Sequence, residues 1–181
     1  MSDVTIKGFI IARLLDLAKE QMSAEDFAAL EQEVGVEART LRLSFFRDFP
    51  VEVQFAVQEK LAPYLFQSKY DAEAARKFGR LNFDTFRSSG IGRATLALVG
   101  KDPKRLLRAS MRLVGTVVNG MTIDIEDRGE KEMSLRFRNI PYPPTEWVGV
   151  IEGAVEHAGG RPLVKIEVHS RSDVEYGVSW S

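Results

Sequence analysis

The sequence contains no cysteine and only two histidines among its 181 residues. The absence of cysteine excludes disulfides, thiolate nucleophiles, zinc ribbons and iron–sulfur clusters held by thiolates. Two histidines leave little scope for a multi-histidine metal site, so we expect no metal and no cofactor. The sequence also lacks an apolar run of roughly 18 residues or more, the length that a membrane-spanning helix needs. Charged residues interrupt the apolar N-terminal segment at helical spacing, which is typical of a core helix and not of a signal peptide. We therefore expect a cytoplasmic protein.

The composition is that of an ordinary globular domain, with 44% hydrophobic and 28% charged residues. The net charge of −1 hides an asymmetry, because residues 76–112 hold ten Lys or Arg against two Asp or Glu, whereas the flanking segments are acidic. A chain that is nearly neutral as a whole has no general attraction for nucleic acid or for membranes. We expect neither as a partner.

Residues 1–115 show mainly helical periodicity. Apolar residues recur at steps of three and four from Ile6 to Leu17 and predict a well-buried helix. Ser23 is a typical N-cap for a second helix, which Gly35 would end in a left-handed conformation. Further helices are predicted up to residue 115, two of them beginning at the capping residues Asp71 and Asp102. Between these regions, alternation at Leu41, Leu43 and Phe45 predicts a short strand.

After residue 115 the apolar period changes from 3.6 to 2. Two alternating segments flank a turn at residues 127–130, a helix follows from Thr145, and two more alternating segments end the chain. The pattern predicts a β-hairpin, a helix and a second β-hairpin, which form a four-stranded antiparallel sheet with one apolar face. We therefore predict an α+β fold with a helical subdomain at residues 1–115 and a sheet-plus-helix subdomain at residues 116–181, packed as one compact unit.

Three stretches carry a family resemblance: IKGFIIARLLDLAKE at residues 6–20, FRNIPYPPTEWVGVIEGAVEHAGG at residues 137–160 and VEYGVSW at residues 174–180. Together they resemble a family of uncharacterised myxobacterial and deltaproteobacterial proteins. That family is distantly similar to the H-NOX (heme nitric oxide/oxygen binding), 4-vinyl-reductase-type and TRAPP-subunit domains. The resemblance implies N-terminal helices followed by a four-stranded antiparallel sheet with an intervening helix. It also implies ligand sensing or scaffolding, often as a dimer.

The sequence departs from the H-NOX pattern at the residues that hold heme. H-NOX domains carry the histidine that ligates iron on a helix ahead of the sheet, and a Tyr-x-Ser-x-Arg motif that holds the propionates. Here residues 1–156 contain no histidine, and the motif is absent, since Tyr176 is followed by Gly177 and Val178. We therefore expect an H-NOX-like fold without heme.

Two features of the apolar residues suggest binding. Large apolar side chains between the helices and the sheet are candidates for a ligand pocket, although an ordinary core gives the same pattern. On the helix from Thr145, Gly149 and Gly153 form a small-residue face. Glycine inside a helix costs about 1 kcal/mol relative to alanine, so we expect close approach by the protein's own sheet, by a neighbouring subunit's helix or by a ligand. The pocket candidates are Phe78, Phe83, Phe86, Leu96, Met111, Trp147 and Ile151.

Basic residues at steps of three and four predict a basic helix face in residues 101–112. This face is a candidate for docking an acidic partner or an anionic ligand, or it is a solvated face that the acidic flanks balance. The face and a residue expected to join it comprise Arg93, Lys101, Lys104, Arg105, Arg108 and Arg112.

Catalytic motifs are absent, including the P-loop and Gly-x-Ser-x-Gly. Glu152 and Glu156 at i,i+4 could bind a cation or act as acid and base, but exposure on the outer edge of the helix is the simpler interpretation. His157 is expected to complement the helix dipole at the C-terminal end. We predict a non-catalytic, homodimeric ligand-binding or protein-interaction module of signalling, sensor or scaffold type, with a small apolar or anionic ligand. Two alternatives stay open: an adaptor that docks through residues 101–112, and an enzyme of unknown chemistry that uses Glu152, Glu156 or His157.

Overall fold

The computed structural model describes residues 3–36 and 46–181. The strand predicted at Leu41, Leu43 and Phe45 lies outside the described residues. The described helices are α1 (Gly8–Gln21), α2 (Ala24–Val34), α3 (Val51–Phe66), α4 (Ala72–Ser88), α5 (Gly90–Val99), α6 (Pro103–Val117) and α7 (Pro144–His157). The described strands are β1 (Thr5–Lys7), β2 (Asp48–Pro50), β3 (Val118–Asn119), β4 (Thr122–Gly129), β5 (Glu132–Arg138), β6 (Pro162–Ser170) and β7 (Asp173–Trp180).

The chain forms two compact units. One comprises residues 1–74 and 117–120, and the other comprises residues 75–116 and 121–181. The predicted α+β class, with a hairpin, a helix and a second hairpin in the C-terminal third, is confirmed. The units group residues 75–116 with the four-stranded sheet, whereas the subdomains predicted from the sequence divide after residue 115.

The first unit holds α1, α2, α3 and a small sheet. The Ser23 hydroxyl accepts a hydrogen bond from the Asp26 backbone N–H at 3.1 Å and caps α2, and Gly35 ends that helix at a φ of 67°. The small sheet has the order β2-β1-β3, with Ile6 opposite both Phe49 and Val118. The prediction that the helix begins at Ile6 was wrong for this residue, which belongs to β1. Its pairing partners are distant in the sequence, and the spacing of nearby apolar residues carries no information about them.

The second unit contains the four-stranded antiparallel sheet, whose order is β4-β5-β7-β6. The two hairpins pair through β5 and β7, with Leu135 opposite Tyr176. The connection between β4 and β5 is shorter than predicted, because pairing continues to Gly129 opposite Glu132. Helix α7 joins β5 to β6 and lies against β6 and β7.

One face of this sheet is apolar and buried. It carries Met133, Leu135 and Phe137 from β5 and Val174, Tyr176 and Val178 from β7, and each of these side chains is fully buried. The alternation in the sequence predicts this face, since successive side chains of a strand point to opposite sides. No helix formed by the described residues is long and apolar enough to cross a bilayer.

Candidate functional site

Helices α4 and α7 meet backbone to backbone at two glycines. A Cβ added to Gly149 would lie 1.9 Å from the carbonyl oxygen of Arg76, and one added to Gly79 would lie 1.9 Å from the carbonyl oxygen of Glu146. No real Cβ atom tolerates such a distance, so each position requires glycine. We call this contact the α4–α7 seam. The glycine face predicted on α7 is therefore covered by α4 of the same chain, and not by the sheet, a neighbouring subunit or a ligand.

Gly153 extends the seam by one turn. A Cβ at this position would lie 2.9 Å from Cδ1 of Phe83, so the aromatic ring occupies the space that a side chain would need. The Phe83 ring also lies 6.0 Å from the ring of His157 and 6.1 Å from that of Phe86, measured between centroids. His157 is thus part of an aromatic cluster at the end of α7.

Beside the glycines, two arginines of α4 bind two glutamates of α7. Arg76 donates to Glu152 from Nε at 2.8 Å, and Arg80 donates to Glu152 at 3.0 Å and to Glu156 at 2.6 Å. We call Arg76, Arg80, Glu152 and Glu156 the ion cluster. Both pairs are spaced i,i+4, so each helix presents its two charges on one face. Because the glycines bring the backbones together, the side chains on either side meet in direct hydrogen bonds.

Glu152 is only 6% exposed, whereas Glu156 is open to solvent. The expectation that both carboxylates lie on an exposed outer edge was right for Glu156 and wrong for Glu152. The reason is that α4 covers the edge of α7 that carries Glu152, and it supplies two guanidinium groups to a carboxylate that would otherwise be buried without a counter-charge.

Arg80 and Glu156 hold each other in their ionised forms. The hydrogen bond from Arg80 is the main cause that lowers the pKa of Glu156 below its ordinary value. The bond to Glu156 likewise raises the pKa of Arg80. A carboxylate with a lowered pKa is a poor proton donor near neutral pH. The arrangement is chemically suited to fastening two helices, and poorly suited to acid–base work.

A second buried carboxylate lies at the start of α7. Glu146 is 3% exposed and accepts a hydrogen bond from the Asn82 side-chain amide at 3.0 Å. Near it, the Tyr176 hydroxyl donates to the Pro144 carbonyl oxygen at 2.9 Å. Burial, and secondarily the charge of Glu146, raise the pKa of Tyr176. Sequence reasoning missed Glu146 and Asn82, although an acidic residue in the first turn of a helix is an ordinary favourable placement.

A row of aromatic side chains extends from the start of α7 across the apolar face of the sheet. Ring centroids are 5.7 Å apart for Tyr142 and Trp147, 4.8 Å for Trp147 and Phe137, and 5.1 Å for Phe137 and Tyr176. The Trp147 indole N–H is buried and has no hydrogen-bond partner among the described residues. These tilted and edge-on contacts anchor the N-terminal half of α7 to β5 and β7.

The residues predicted to line a ligand pocket have core positions. Phe78, Phe83, Met111, Trp147 and Ile151 are each 6% exposed or less, and Phe86 and Leu96 are half-buried. They lie in the second unit, where Phe83 and Trp147 make the aromatic contacts described above. A pocket for a ligand at these residues stays a prediction.

The basic helix face is partly neutralised within its own unit. Arg108 forms an ion pair with Asp127 of β4 at 2.7 Å, and Lys104 lies 3.6 Å from the same carboxylate. Arg105 lies 3.6 Å from Asp102. Lys101 and Arg112 are exposed and make no ion pair with another residue in the described part of the chain. Arg93 lies apart from this helix, in α5, and its guanidinium donates to the Ser88 carbonyl oxygen.

The described residues contain no group of three or more His, Asp or Glu side chains that could hold a metal ion. His157 closes α7, which follows β5, and His169 lies on β6, where its ring nitrogen is 3.4 Å from the Glu175 carboxylate. Neither histidine is on a helix ahead of the sheet.

The fold is α+β and similar to that of H-NOX proteins. The chain is similar to a Cs H-NOX mutant that carries 4-cyano-L-phenylalanine, with a TM-score of 0.71 and 13% identity over 97% of each chain. It is also similar to the Fe(II) unliganded H-NOX protein from K. algicida, with a TM-score of 0.66 and 13% identity over 97% of each chain. A mutant of T. tengcongensis H-NOX gives a TM-score of 0.62 and 14% identity over 97% of this chain and 98% of the other.

The chain belongs to the family described as "Protein of unknown function (DUF2378)", whose model matches residues 4–181. A search of curated proteins gave no match. The predicted resemblance to an uncharacterised family with an H-NOX-like fold is therefore confirmed at this level. The myxobacterial and deltaproteobacterial origin of the family and the resemblances to 4-vinyl-reductase-type and TRAPP-subunit domains stay predictions.

Proposed function

We propose that this protein is a non-catalytic binding module of the sensor or scaffold type, in the cytoplasm, that uses an H-NOX-like fold without heme. One observation carries the proposal: a fold that matches H-NOX proteins over 97% of the chain is combined with a sequence that has no histidine before residue 157. The fold supports binding, and the missing donor argues against the heme chemistry of those proteins.

The donor set of this chain does not fit an H-NOX heme. Iron in such a site needs an axial ligand from a helix ahead of the sheet, and this sequence offers neither histidine nor cysteine there. His157 packs against Phe83 after β5, and His169 is held by Glu175 on the polar face of β6. The proposed function therefore involves no heme.

The ion cluster argues for a structural role of the acidic residues on α7. Glu152 is buried, and both of its carboxylate oxygens accept hydrogen bonds from Arg76 and Arg80; Glu156 accepts from Arg80. An acid–base pair needs at least one carboxyl that exchanges protons near neutral pH. The lowered pKa of Glu156 works against that role. These contacts support the non-catalytic function over an enzyme built on Glu152, Glu156 and His157.

The adaptor function through residues 101–112 has weaker support. Asp127 balances Lys104 and Arg108, and Asp102 lies beside Arg105, so the positive charge that stays open is mainly that of Lys101 and Arg112. Exposed charges of this kind change association rates more than affinity. We expect them to assist a partner that binds elsewhere on the module.

Native mass spectrometry of the purified chain tests the proposed function. We expect a species without heme that carries either a small molecule or a further protein chain. A bare single chain under all conditions, with neither ligand nor partner, would contradict a binding function. Activity that is lost in an E152A/E156A double variant, while the variant remains folded by circular dichroism, would contradict the non-catalytic role.

A further inference from the structure

Strand β6 forms an open edge of the four-stranded sheet. It pairs with β7 alone among the described strands, so its other side presents unpaired backbone N–H and C=O groups. Natural proteins usually protect such edges with charges, prolines, bulges or short length, because a free edge is a template for pairing with another strand. β6 runs for nine residues, from Pro162 to Ser170.

The apolar face of the sheet continues onto β6, where it is only partly covered. Val164, Ile166 and Val168 lie opposite Val178, Tyr176 and Val174 of β7 and therefore share their face. The β7 residues are fully buried, whereas Ile166 is 39% and Val168 is 61% exposed. The edge thus combines unpaired backbone with an apolar strip that is half-buried at Val164 and exposed at Ile166 and Val168.

The other face of β6 carries charges in a self-complementary order. Lys165 and Glu167 flank Ile166, the midpoint of the strand. If a second β6 lies antiparallel with Ile166 opposite Ile166, each Lys165 faces a Glu167 and each Val164 faces a Val168. Centring the pairing one residue earlier or later opposes Lys165 with itself or Glu167 with itself, so charge selects this register.

Within one chain, Glu167 lies opposite another acidic residue. Its cross-strand neighbour on β7 is Glu175, and like charges directly opposite each other destabilise a sheet. Glu175 has partners of its own, because it accepts from Ser134 at 2.6 Å and lies 3.3 Å from Arg128. The Glu167 side chain is 74% exposed and is 3.8 Å from His169. A lysine from a second copy would supply the opposing charge that Glu167 lacks on its other side.

The opposite edge of the same sheet does not share this property. β4 carries Asp124 and Glu126 on either side of Ile125, so self-pairing centred there would oppose acidic side chains twice. Centring on Asp124, on Glu126 or on Asp127 opposes that acidic residue with its own copy. In the registers centred on residues 124–127 of β4, the charge order therefore disfavours self-pairing of that edge, whereas it favours the register of β6 centred on Ile166.

We propose that β6 pairs antiparallel with β6 of a second copy of this chain, in the register centred on Ile166. The pairing covers residues 164–168 of each strand, since a register shift between Val168 and Ser170 interrupts regular pairing beyond that point. It joins two four-stranded sheets across a two-fold axis and brings the two apolar strips together. The inference deepens the proposed binding function by naming a surface, and it rests on that function.

Charge reversal tests the register through the dimer dissociation constant, measured by sedimentation equilibrium on the full chain. K165E and E167K each turn two attractive contacts into repulsive ones, so we expect each to weaken the dimer by roughly tenfold or more. The double variant K165E/E167K restores opposite charges and should recover most of the affinity. The matched controls K131E and E130K make the same changes of net charge in the β4–β5 turn and should leave the constant within about twofold.

Single cysteines test the same register by geometry, because the chain contains no cysteine of its own. Directly opposite residues in an antiparallel pair have Cα atoms about 4.5–5.5 Å apart, within the range of a disulfide. I166C should therefore cross-link to its own copy under mild oxidation. V168C should not, because the two copies of residue 168 would lie about 13 Å apart, four residues along the strand.

Three results would overturn the inference: a wild-type chain that stays monomeric, a dimer that neither charge reversal weakens, or V168C that cross-links as well as I166C. These readouts are separate from the ligand and heme masses that test the proposed function. A monomer with a bound small molecule would overturn the proposed β6 pairing but would agree with the proposed binding function. A β6 dimer that carries heme would agree with the pairing but would overturn the heme-free function.

Discussion

Replacing Gly149 with alanine should destabilise the protein, although the same change inside most helices stabilises them. The added Cβ would lie 1.9 Å from the Arg76 carbonyl oxygen, and real Cβ contacts begin at 3.0 Å, so the α4 and α7 backbones must separate by about 1 Å. Overpacking of this kind costs about 1–3 kcal/mol. Because the obstacle is backbone, we take the upper value. The gain in helix propensity, about 1 kcal/mol, leaves a net loss of about 2 kcal/mol.

Thermal unfolding measured by circular dichroism tests this prediction. A loss of about 2 kcal/mol lowers the midpoint by roughly 4–8 °C for a chain of this size. Gly115 provides the matched control, because it lies inside α6 and an added Cβ would meet nothing within 4 Å. G115A should raise the midpoint or leave it unchanged. If G149A were as stable as G115A, the reasoning about the α4–α7 seam would be refuted.

Three further predictions concern the polar contacts of the second unit. E152Q should lower the free energy of unfolding in urea by about 2 kcal/mol, because it leaves two partly exposed arginines facing a neutral group. E156Q changes a more exposed carboxylate and should lower it by about 1 kcal/mol or less. Equal losses for the two variants would contradict the difference in burial. Hydrogen bonds from arginine lower the pKa of Glu156 and of Asp173, so their contribution is complete above the ordinary carboxyl range and is lost as the pH falls through the lowered values. The unfolding midpoint should therefore be steady down to about pH 5 and decline below about pH 4, and a decline that begins near neutrality would argue against this origin. N82A removes the amide that donates to buried Glu146 and should cost about 1–2 kcal/mol; an unchanged urea midpoint would show that this hydrogen bond contributes nothing.

Local signals in the sequence predict the helix ends and the hairpins well. Ser23 caps α2 and Asp102 caps α6 through side-chain contacts that involve residues only three positions away. The strands of the large sheet follow from simple alternation, because a sheet with one buried face imposes a period of 2. In both cases the interactions that determine the local structure involve residues only a few positions apart, so the local sequence is enough to predict it.

Contacts between distant segments are not accessible in this way. Arg76 and Glu152 are 76 positions apart, and nothing in either helix alone shows that α4 covers α7. Gly149 does carry a signal, since an interior helical glycine predicts close approach. The partner could not be identified because Gly79, its counterpart on α4, reads as an ordinary helical residue. The sheet formed by β1, β2 and β3 was not predicted either. Its strands come from distant parts of the chain and are only two or three residues long, too short to show an alternating pattern.

The candidate site differs in kind from the predicted one. Sequence reasoning considered Glu152 and Glu156 as catalytic or exposed groups, and the structure shows them bound to arginines that stabilise the α4–α7 seam. The count of histidines, by contrast, needs no structure. No histidine precedes residue 157, so composition and the order of elements along the chain are enough to predict that an H-NOX-type heme ligand is missing.

We propose that an H-NOX-like fold works here without heme, and an absorption titration distinguishes this function from heme binding. The purified chain is titrated with ferrous heme while the Soret region is recorded, with H157A and H169A as controls. We expect the spectrum of free heme at every ratio, with no difference between the wild type and either variant. A stoichiometric Soret band in the wild type that shifts or disappears in H157A or H169A would show heme bound through that histidine and would overturn the proposal.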